Sequence, residues 1–314
     1  MVWREDAGGI ELLDRLGGPF ERSAFRSSYL DVYEDSADVS FAAHGADGVH
    51  AAIALIDHRA RAESVPLGYG GIRTTAPLDS RATASFLEAA RRASGCRSLI
   101  ARDVSALGAA PGGRRIATTS LVPLARPPRD GIAKRGRQSI RRAERSGCAV
   151  TATTDPRAFL QLHTDAAQGR PASYPRRLLQ LLAERGELLF YDVTLQGEAV
   201  SSLAALTGGV HWMYWLAAQN ERGREVEAGY VAVAALLDDA YAAGAAYVNL
   251  GASEGLPGVA AFKQRLGGLD VPVIQWVAAP AGTRLRDSTT RVWRQSAAVL
   301  RTEAVRLSRR LGLR

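Results

Sequence analysis

Lysine is almost missing from this chain. Of its 40 basic residues only two, Lys134 and Lys263, are lysines. A composition that favours arginine so strongly makes a retained lysine informative, because a compact, flexible ammonium is not interchangeable with a planar guanidinium. Lys263 is therefore a candidate for chemistry, although a solvated helix lysine would look the same in sequence. Cysteine is scarce too: Cys96 and Cys148 give neither a disulfide framework nor metal spacing. The five histidines, His44, His50, His58, His163 and His211, show no ligand spacing either, so no metal is expected. No run of about 18 apolar residues suggests a membrane span. The opening MVWREDAGG lacks the basic-then-apolar order of a signal peptide, so a cytoplasmic location is expected. No Ser/His/Asp spacing points to a covalent nucleophile.

What is present is charge in two places. The formal net charge of the 314 residues is +8. Residues 134–145 alone carry a net +5 and residues 284–314 a net +7, which leaves the remainder slightly acidic at −4. Two concentrated basic elements on an acidic body suggest a polyanionic partner: RNA, nucleotide phosphates or an anionic membrane surface. Lys134, Arg137, Arg141 and Arg145 recur at three- and four-residue steps and so line one helix face, with Ile140 and Ala143 on another. From Arg284 onward Trp293, Leu300 and Leu307 recur every seven residues, which predicts a basic amphipathic helix. That helix either packs on the body or serves as an electrostatic arm.

The order of elements repeats. Two short helices, a hairpin with a Gly turn, an extended segment, a helix closed by Gly and a strand occur in the first half and again in the second. Phe41 and Phe190, Gly48 and Gly197, and Gly95 and Gly244 are each 149 residues apart. This argues for a tandem duplication of one α/β unit. The expected organisation is a first domain over 1–130, a second over 131–283 and the basic helix over 284–314. Within the second unit, Glu225–Gly268 predicts a helix ending at Gly244, a strand at Tyr247–Leu250, a Gly/Pro loop and a helix carrying Phe262 and Lys263. A strand that delivers a loop into a helix is a common place for chemistry in α/β proteins.

Four motifs in order resemble the Fem-like (FemABX) aminoacyltransferases. They are Pro66-Leu67-Gly68-Tyr69-Gly70-Gly71, then Lys134-x-x-Arg137-x-x-Ile140-Arg141-x-Ala143, then Ala240 to Gly251, then Ala261-Phe262-Lys263-x-x-x-Gly267. The resemblance spans about residues 30–278. It implies an α/β (α+β) fold made of a tandem pair of GNAT-like acyltransferase domains. Each would be a mixed, mostly antiparallel sheet flanked by helices. The implied activity is transfer of an aminoacyl group from aminoacyl-tRNA to an amine, forming an amide without a bound cofactor. It also implies that Lys263 stabilises the developing oxyanion, as a fixed ammonium can. The inserted coiled-coil arm of staphylococcal members has no counterpart here. The acceptor could be a small amine, as in antibiotic biosynthesis, or a peptidoglycan precursor.

Other candidates follow from position. Glu254 and Asp103 follow matching strands and could take up the proton or hold the acceptor ammonium, though loop carboxylates are more often just solvated. Asn249 could orient a substrate carbonyl or bond the local backbone. The resemblance further implies that members acting on cell-wall precursors bind a diphosphate with basic residues of the first domain, for which Arg73, after the Tyr69-Gly70-Gly71 segment, is the candidate. Trp212 and Tyr214 share a strand face and could stack on the adenine of the tRNA end, or pack in a core. Tyr69 and Phe262 complete the substrate-side set; Lys134, Arg137, Arg141, Arg142 and Arg145 form the tRNA-side set. Cys148, beside the basic helix, could have a lowered pKa or be a structural thiol. One rival is an acyl-CoA-dependent N-acyltransferase using acetyl-CoA. It should cradle a pyrophosphate at the turn before Ala228, where Gly223 is followed by Arg and acids, a poor phosphate nest. A second rival is a non-catalytic RNA- or membrane-binding protein, with peripheral membrane contact through the basic tail.

Overall fold

The computed structural model describes residues 2–58, 60–64, 70–104, 110–167, 176–253 and 256–280. Tyr69, Glu254 and the basic tail from 284 lie outside these residues. The first unit runs β1 (Trp3–Glu5), α1 (Glu11–Leu16), α2 (Ser23–Leu30), β2 (Ser36–Asp38), β3 (Phe41–Gly45), β4 (His50–Ile53), β5 (Ile56–His58), β6 (Arg61–Glu63), β7 (Ile72–Thr74), α3 (Ser80–Ala93), β8 (Ser98–Val104) and β9 (Arg114–Pro123). After a single turn, α4 (Pro128–Gly131), the second unit follows. It runs α5 (Lys134–Arg145), β10 (Cys148–Thr153), α6 (Arg157–Ala167), α7 (Arg176–Glu184), β11 (Leu188–Leu195), β12 (Glu198–Leu206), β13 (His211–Gln219), α8 (Glu221–Glu225), α9 (Ala228–Ala242), β14 (Tyr247–Ala252), α10 (Pro257–Arg265) and β15 (Leu269–Ala278).

The duplication is visible in local detail. The hairpins β3–β4 and β11–β12 turn at Gly48 and Gly197, with φ of 78° and 82°. Helices α3 and α9 close at Gly95 and Gly244, both with positive φ, and β8 and β14 begin 149 residues apart. Asp79 caps α3 by accepting from the Ala82 N–H at 2.7 Å.

Sequence order does not reveal how the units join. Strand β9, the last of the first unit, pairs with β14 and β15 of the second. Strand β15, the last of the second unit, pairs with β9 and with β8 of the first. Final strands are thus exchanged, and eleven strands form one sheet in the order β10-β11-β12-β13-β14-β9-β15-β8-β6-β5-β2. Strands from either side of the expected boundary near 130 therefore share one sheet. Ile56 starts β5, next to the edge strand β2 of this sheet, while β1-β3-β4-β7 form a smaller sheet.

Three apolar clusters fill the layers. One lies around α3, with Phe86, Leu87, Leu99 and Trp276. A second joins α5 and α9 to the sheet through Ile140, Val233, Leu236, Val248 and Leu266. The third joins the units through Phe20, Phe25, Phe159, Phe190 and Met213. Each fully buried Leu, Val or Phe contributes about 1.5–3 kcal/mol of transfer free energy.

Candidate active site

Strands β13 and β14 run parallel and pair over only three residues, His211–Tyr247, Trp212–Val248 and Met213–Asn249. Beyond that point β13 continues to Gln219 along β12, while β14 turns to β9 through Ala252–Thr119. The strands part, leaving a wedge open from Met213 and Asn249 outward. Beside α10 lies an open hollow of about 380 Å³ lined by Thr118, Ser120, Ser253, Ala260 and Asp270.

Lys263 comes to the end of β14. Its side chain is 3% exposed, and Nζ donates to the carbonyls of Gly251 at 2.9 Å and Ala252 at 2.8 Å. A Cβ built on Gly251, whose φ is 78°, would lie 3.8 Å from Lys263 Nζ and 3.6 Å from Met213 Cε. Asn249 is 1% exposed; its Oδ1 accepts from the Gly251 N–H at 2.8 Å and from the Thr119 hydroxyl at 2.6 Å. Its Nδ2 has no hydrogen-bond partner among the described residues. Phe262 is half-buried and meets Tyr230 edge-to-face at 4.7 Å. Lys263 and Asn249 are thus gathered around the end of β14, while Phe262 lies against α9.

Behind the wedge lies a buried ionic cluster formed by the first unit, against which the second unit packs. Arg73 donates to both Glu21 oxygens and to Asp103, whose Oδ2 it meets at 2.7 Å; Glu21 also accepts from the Gly18 and Gly71 N–H groups. Glu21, Arg73 and Asp103 are 0%, 6% and 1% exposed. Burial pushes the Glu21 carboxyl above its usual range despite Arg73. Burial also opposes the Arg73 charge, but the two carboxylates outweigh it and hold the guanidinium above its ordinary pKa. Arg73 and Asp103, expected on the substrate side, are instead bound to one another: all of the guanidinium's recorded bonds point inward.

His211 and Tyr247 adjoin this cluster from the second unit. The rings stack at 4.9 Å, and Tyr247 Oη lies 3.1 Å from His211 Nδ1. The imidazole lies against Gly18, where any side chain would collide with it. Burial, aided by the Arg73 charge, lowers the His211 pKa to about 3 from 6.5. Between those values the unfolded chain binds a proton that the folded chain refuses, so this residue's contribution falls on acidification. Wild type is expected to lose about 2 kcal/mol more stability between pH 6 and pH 4 than His211→Gln, measured by urea unfolding. Equal losses in the two proteins would refute this.

The remaining expectations divide. Trp212 is 9% exposed and, with half-buried Tyr214, packs into the α5–α9 core. An indole enclosed in this way is a core residue and not a base-stacking platform. Burial pushes the Tyr214 hydroxyl up to about 12. Trp215 takes the other face, against Phe20. Burial raises the Cys148 thiol, so the basic helix beside it does not produce a reactive thiolate. On α5, Lys134, Arg135, Arg137, Arg141, Arg142 and Arg145 are all exposed, while Gly136, Ser139, Ile140 and Ala143 are buried. Sequence reasoning missed Thr119, which orients Asn249, and Glu21. The only sequence signal for Asn249 beyond its strand position is rarity, since Asn220 is the one other asparagine.

The turn before α9 departs from a phosphate cradle. Residues Glu221–Glu225 form α8, and Asn220 caps it by accepting from the Gly223 N–H at 2.9 Å. A Cβ on Gly223 would lie 2.2 Å from the Val200 carbonyl oxygen, so this glycine serves close packing. The N-cap of α9 is Glu227, whose carboxylate lies 4.0 Å from Arg142. A phosphate brought there would meet a carboxylate.

Residues 132–264 match the family model described as an acetyltransferase (GNAT) domain. Among solved structures, the chain is similar to the crystal structure of FemX, with a TM-score of 0.64 and 12% identity over 88% of this chain and 98% of that one. It is also similar to L-PGS from Bacillus licheniformis, with a TM-score of 0.54 and 14% identity over 93% and 97% of the two chains. A third is a tandem GNAT protein from the clavulanic acid biosynthesis pathway, with a TM-score of 0.51 and 16% identity over 90% and 99%. No curated protein sequence matches. At these identities the structures establish a shared fold. No described helix is long and apolar enough to cross a membrane.

Proposed function

We propose, from a chain whose second half is a GNAT-type acyltransferase domain within a Fem-like two-unit fold, that it forms an amide by moving an aminoacyl group from aminoacyl-tRNA to an amine. The acceptor amine would attack the ester carbonyl carbon. A C–N bond forms as the carbonyl π pair moves onto oxygen. Collapse then breaks the C–O bond to the ribose, whose oxygen takes the proton lost by the amine. An aminoacyl ester is already activated, so positioning and charge stabilisation are the main requirements. Lys263 would supply positive charge beside the wedge, with Asn249 and Phe262 shaping it; Glu254 remains a proposed proton acceptor.

The observation that carries this reading is the contact of Arg142 with Glu227. It brings Arg142, one of the exposed cations of α5, to the N-terminus of α9, where an acyl-CoA enzyme would hold its pyrophosphate. Here that place presents a carboxylate with a broad basic face beside it. This favours a long polyanion lying along α5 over a pyrophosphate seated at the helix end. The acceptor is proposed to be an amine-bearing small molecule, peptide or cell-wall precursor.

Purified protein would be given total tRNA charged with labelled amino acids, with and without RNase, and separately labelled acetyl-CoA, each with a pool of cellular amines. RNase-sensitive label in small amides supports the proposal. Label moving only from acetyl-CoA refutes it in favour of the acyl-CoA reading. Charge reversal at Arg137 and Arg141 together is expected to weaken tRNA binding at least tenfold. It should also flatten the plot of log K against log salt by about two contacts' worth. Unchanged affinity in a filter-binding titration would remove α5 from the tRNA footprint.

A further inference from the structure

We infer that the carboxamide of Asn249 holds the acyl carbonyl oxygen during transfer, with Nδ2 as the donating atom. This inference rests on the amide-forming reading above and names the group that receives the developing negative charge. The orientation of the amide is fixed by its partners. The Gly251 N–H can only donate, so the atom it meets at 2.8 Å is Oδ1. The Thr119 hydroxyl, on β9, meets the same oxygen at 2.6 Å. A planar carboxamide with Oδ1 held on the β9 side turns Nδ2 the other way, toward β13.

That is where the two strands stop pairing. Met213–Asn249 is the last rung of the β13–β14 ladder, so Nδ2 stands at the apex of the wedge. Asn249 is 1% exposed and Nδ2 finds no partner among the described residues. A buried N–H donor left unmet is a cost that native proteins seldom carry without a use. An acyl carbonyl entering between the strands would meet it. Met213, across the rung, reaches toward Gly251. Its flexible thioether is a cover that an acyl chain can displace.

Lys263 fits beside this donor in a defined way. Its ammonium donates to the carbonyls of Gly251 and Ala252, the two peptides that follow the Gly251 N–H that orients Asn249. It thus steadies the chain beside the carboxamide as well as placing a positive charge near the reacting carbonyl. In the transfer step, the π pair displaced from the carbonyl collects on the oxygen bonded to Nδ2. It returns when the ribose C–O bond breaks, so Asn249 neither gains nor loses a proton.

The chain's two asparagines make this directly observable. Protein labelled with 15N-asparagine has two side-chain NH2 pairs, and Asn220→Ser assigns them. Asn220 is held by the Gly223 N–H as the cap of α8 and serves as an internal reference. The probes are an aminoacyl-adenosine with an amide in place of the ester, and acetyl-CoA. With the first, the Asn249 NH2 protons should move downfield while those of Asn220 stay in place. Movement with acetyl-CoA alone would keep Asn249 in its role and overturn the tRNA reading. Signals unmoved by both probes would overturn the inference. In turnover, Asn249→Asp keeps the Oδ1 acceptor but has no donor once ionised. At pH 8 its kcat should fall about 10²–10³-fold with KM changed much less. The loss should shrink as pH falls and the acid regains a proton. A kcat within threefold of wild type at pH 8 would also overturn it, and thermal unfolding separates either result from a failure to fold.

Discussion

Arg73→Ala is expected to lower the free energy of unfolding by about 3–5 kcal/mol, the usual cost of removing one partner from a buried ionic group. The substitution would leave Glu21 and Asp103, both essentially unexposed, with no cation between them. Arg73→Lys should recover only part of the loss, because one ammonium cannot bridge two carboxylates as a forked guanidinium does. Adding Glu21→Gln to Arg73→Ala should restore some stability, since it removes a charge that burial already disfavours. Urea unfolding of the three variants checks this. A loss below 1 kcal/mol for Arg73→Ala would mean that the cluster contributes little to joining the units.

Lys263→Ala is expected to lower kcat about 10²–10³-fold while leaving tRNA affinity within threefold. Two further consequences separate this from generic damage. The Gly251 and Ala252 carbonyls each lose a buried donor, which should cost about 1–3 kcal/mol of stability. Lys263→Arg should not rescue turnover, because a side chain 3% exposed leaves no room to reorient a larger planar head. Single-turnover transfer from charged tRNA, with unfolding curves for each variant, is the measurement. Turnover within threefold of wild type in Lys263→Ala would reduce this lysine to a brace for the β14 end.

Much of the architecture was legible because it is written in local signals. Gly48 and Gly197, or Gly95 and Gly244, occupy backbone conformations that few other residues tolerate, so the repeat survives as a spacing of 149. The face of α5 was readable from periodicity, since Ile140 and Ala143 go inward and the arginines outward. The exchange of β9 and β15 was not readable. A strand's pattern states that it is buried but does not name its neighbours. Arg73 shows the same limit at one residue. Its position after a glycine segment suggested an anion site, but its partners, Glu21 and Asp103, are 52 and 30 residues away in sequence. Asn249 was visible as a polar residue on a strand. What gives it meaning is Thr119, 130 residues away, which fixes its amide.

The exchanged strands also set a timetable for making the protein. On a ribosome, β9 emerges long before the segments that pair with it, since both of its neighbours, β14 and β15, lie in the second unit. Until Leu269–Ala278 has been synthesised, the first half carries an unmatched strand with open edges on both sides, a surface prone to association with other chains. Closing it requires contacts of very long sequence separation, which slows folding. Neither half should therefore be obtainable as a well-behaved fragment, and the nascent first half is where folding assistance would matter most.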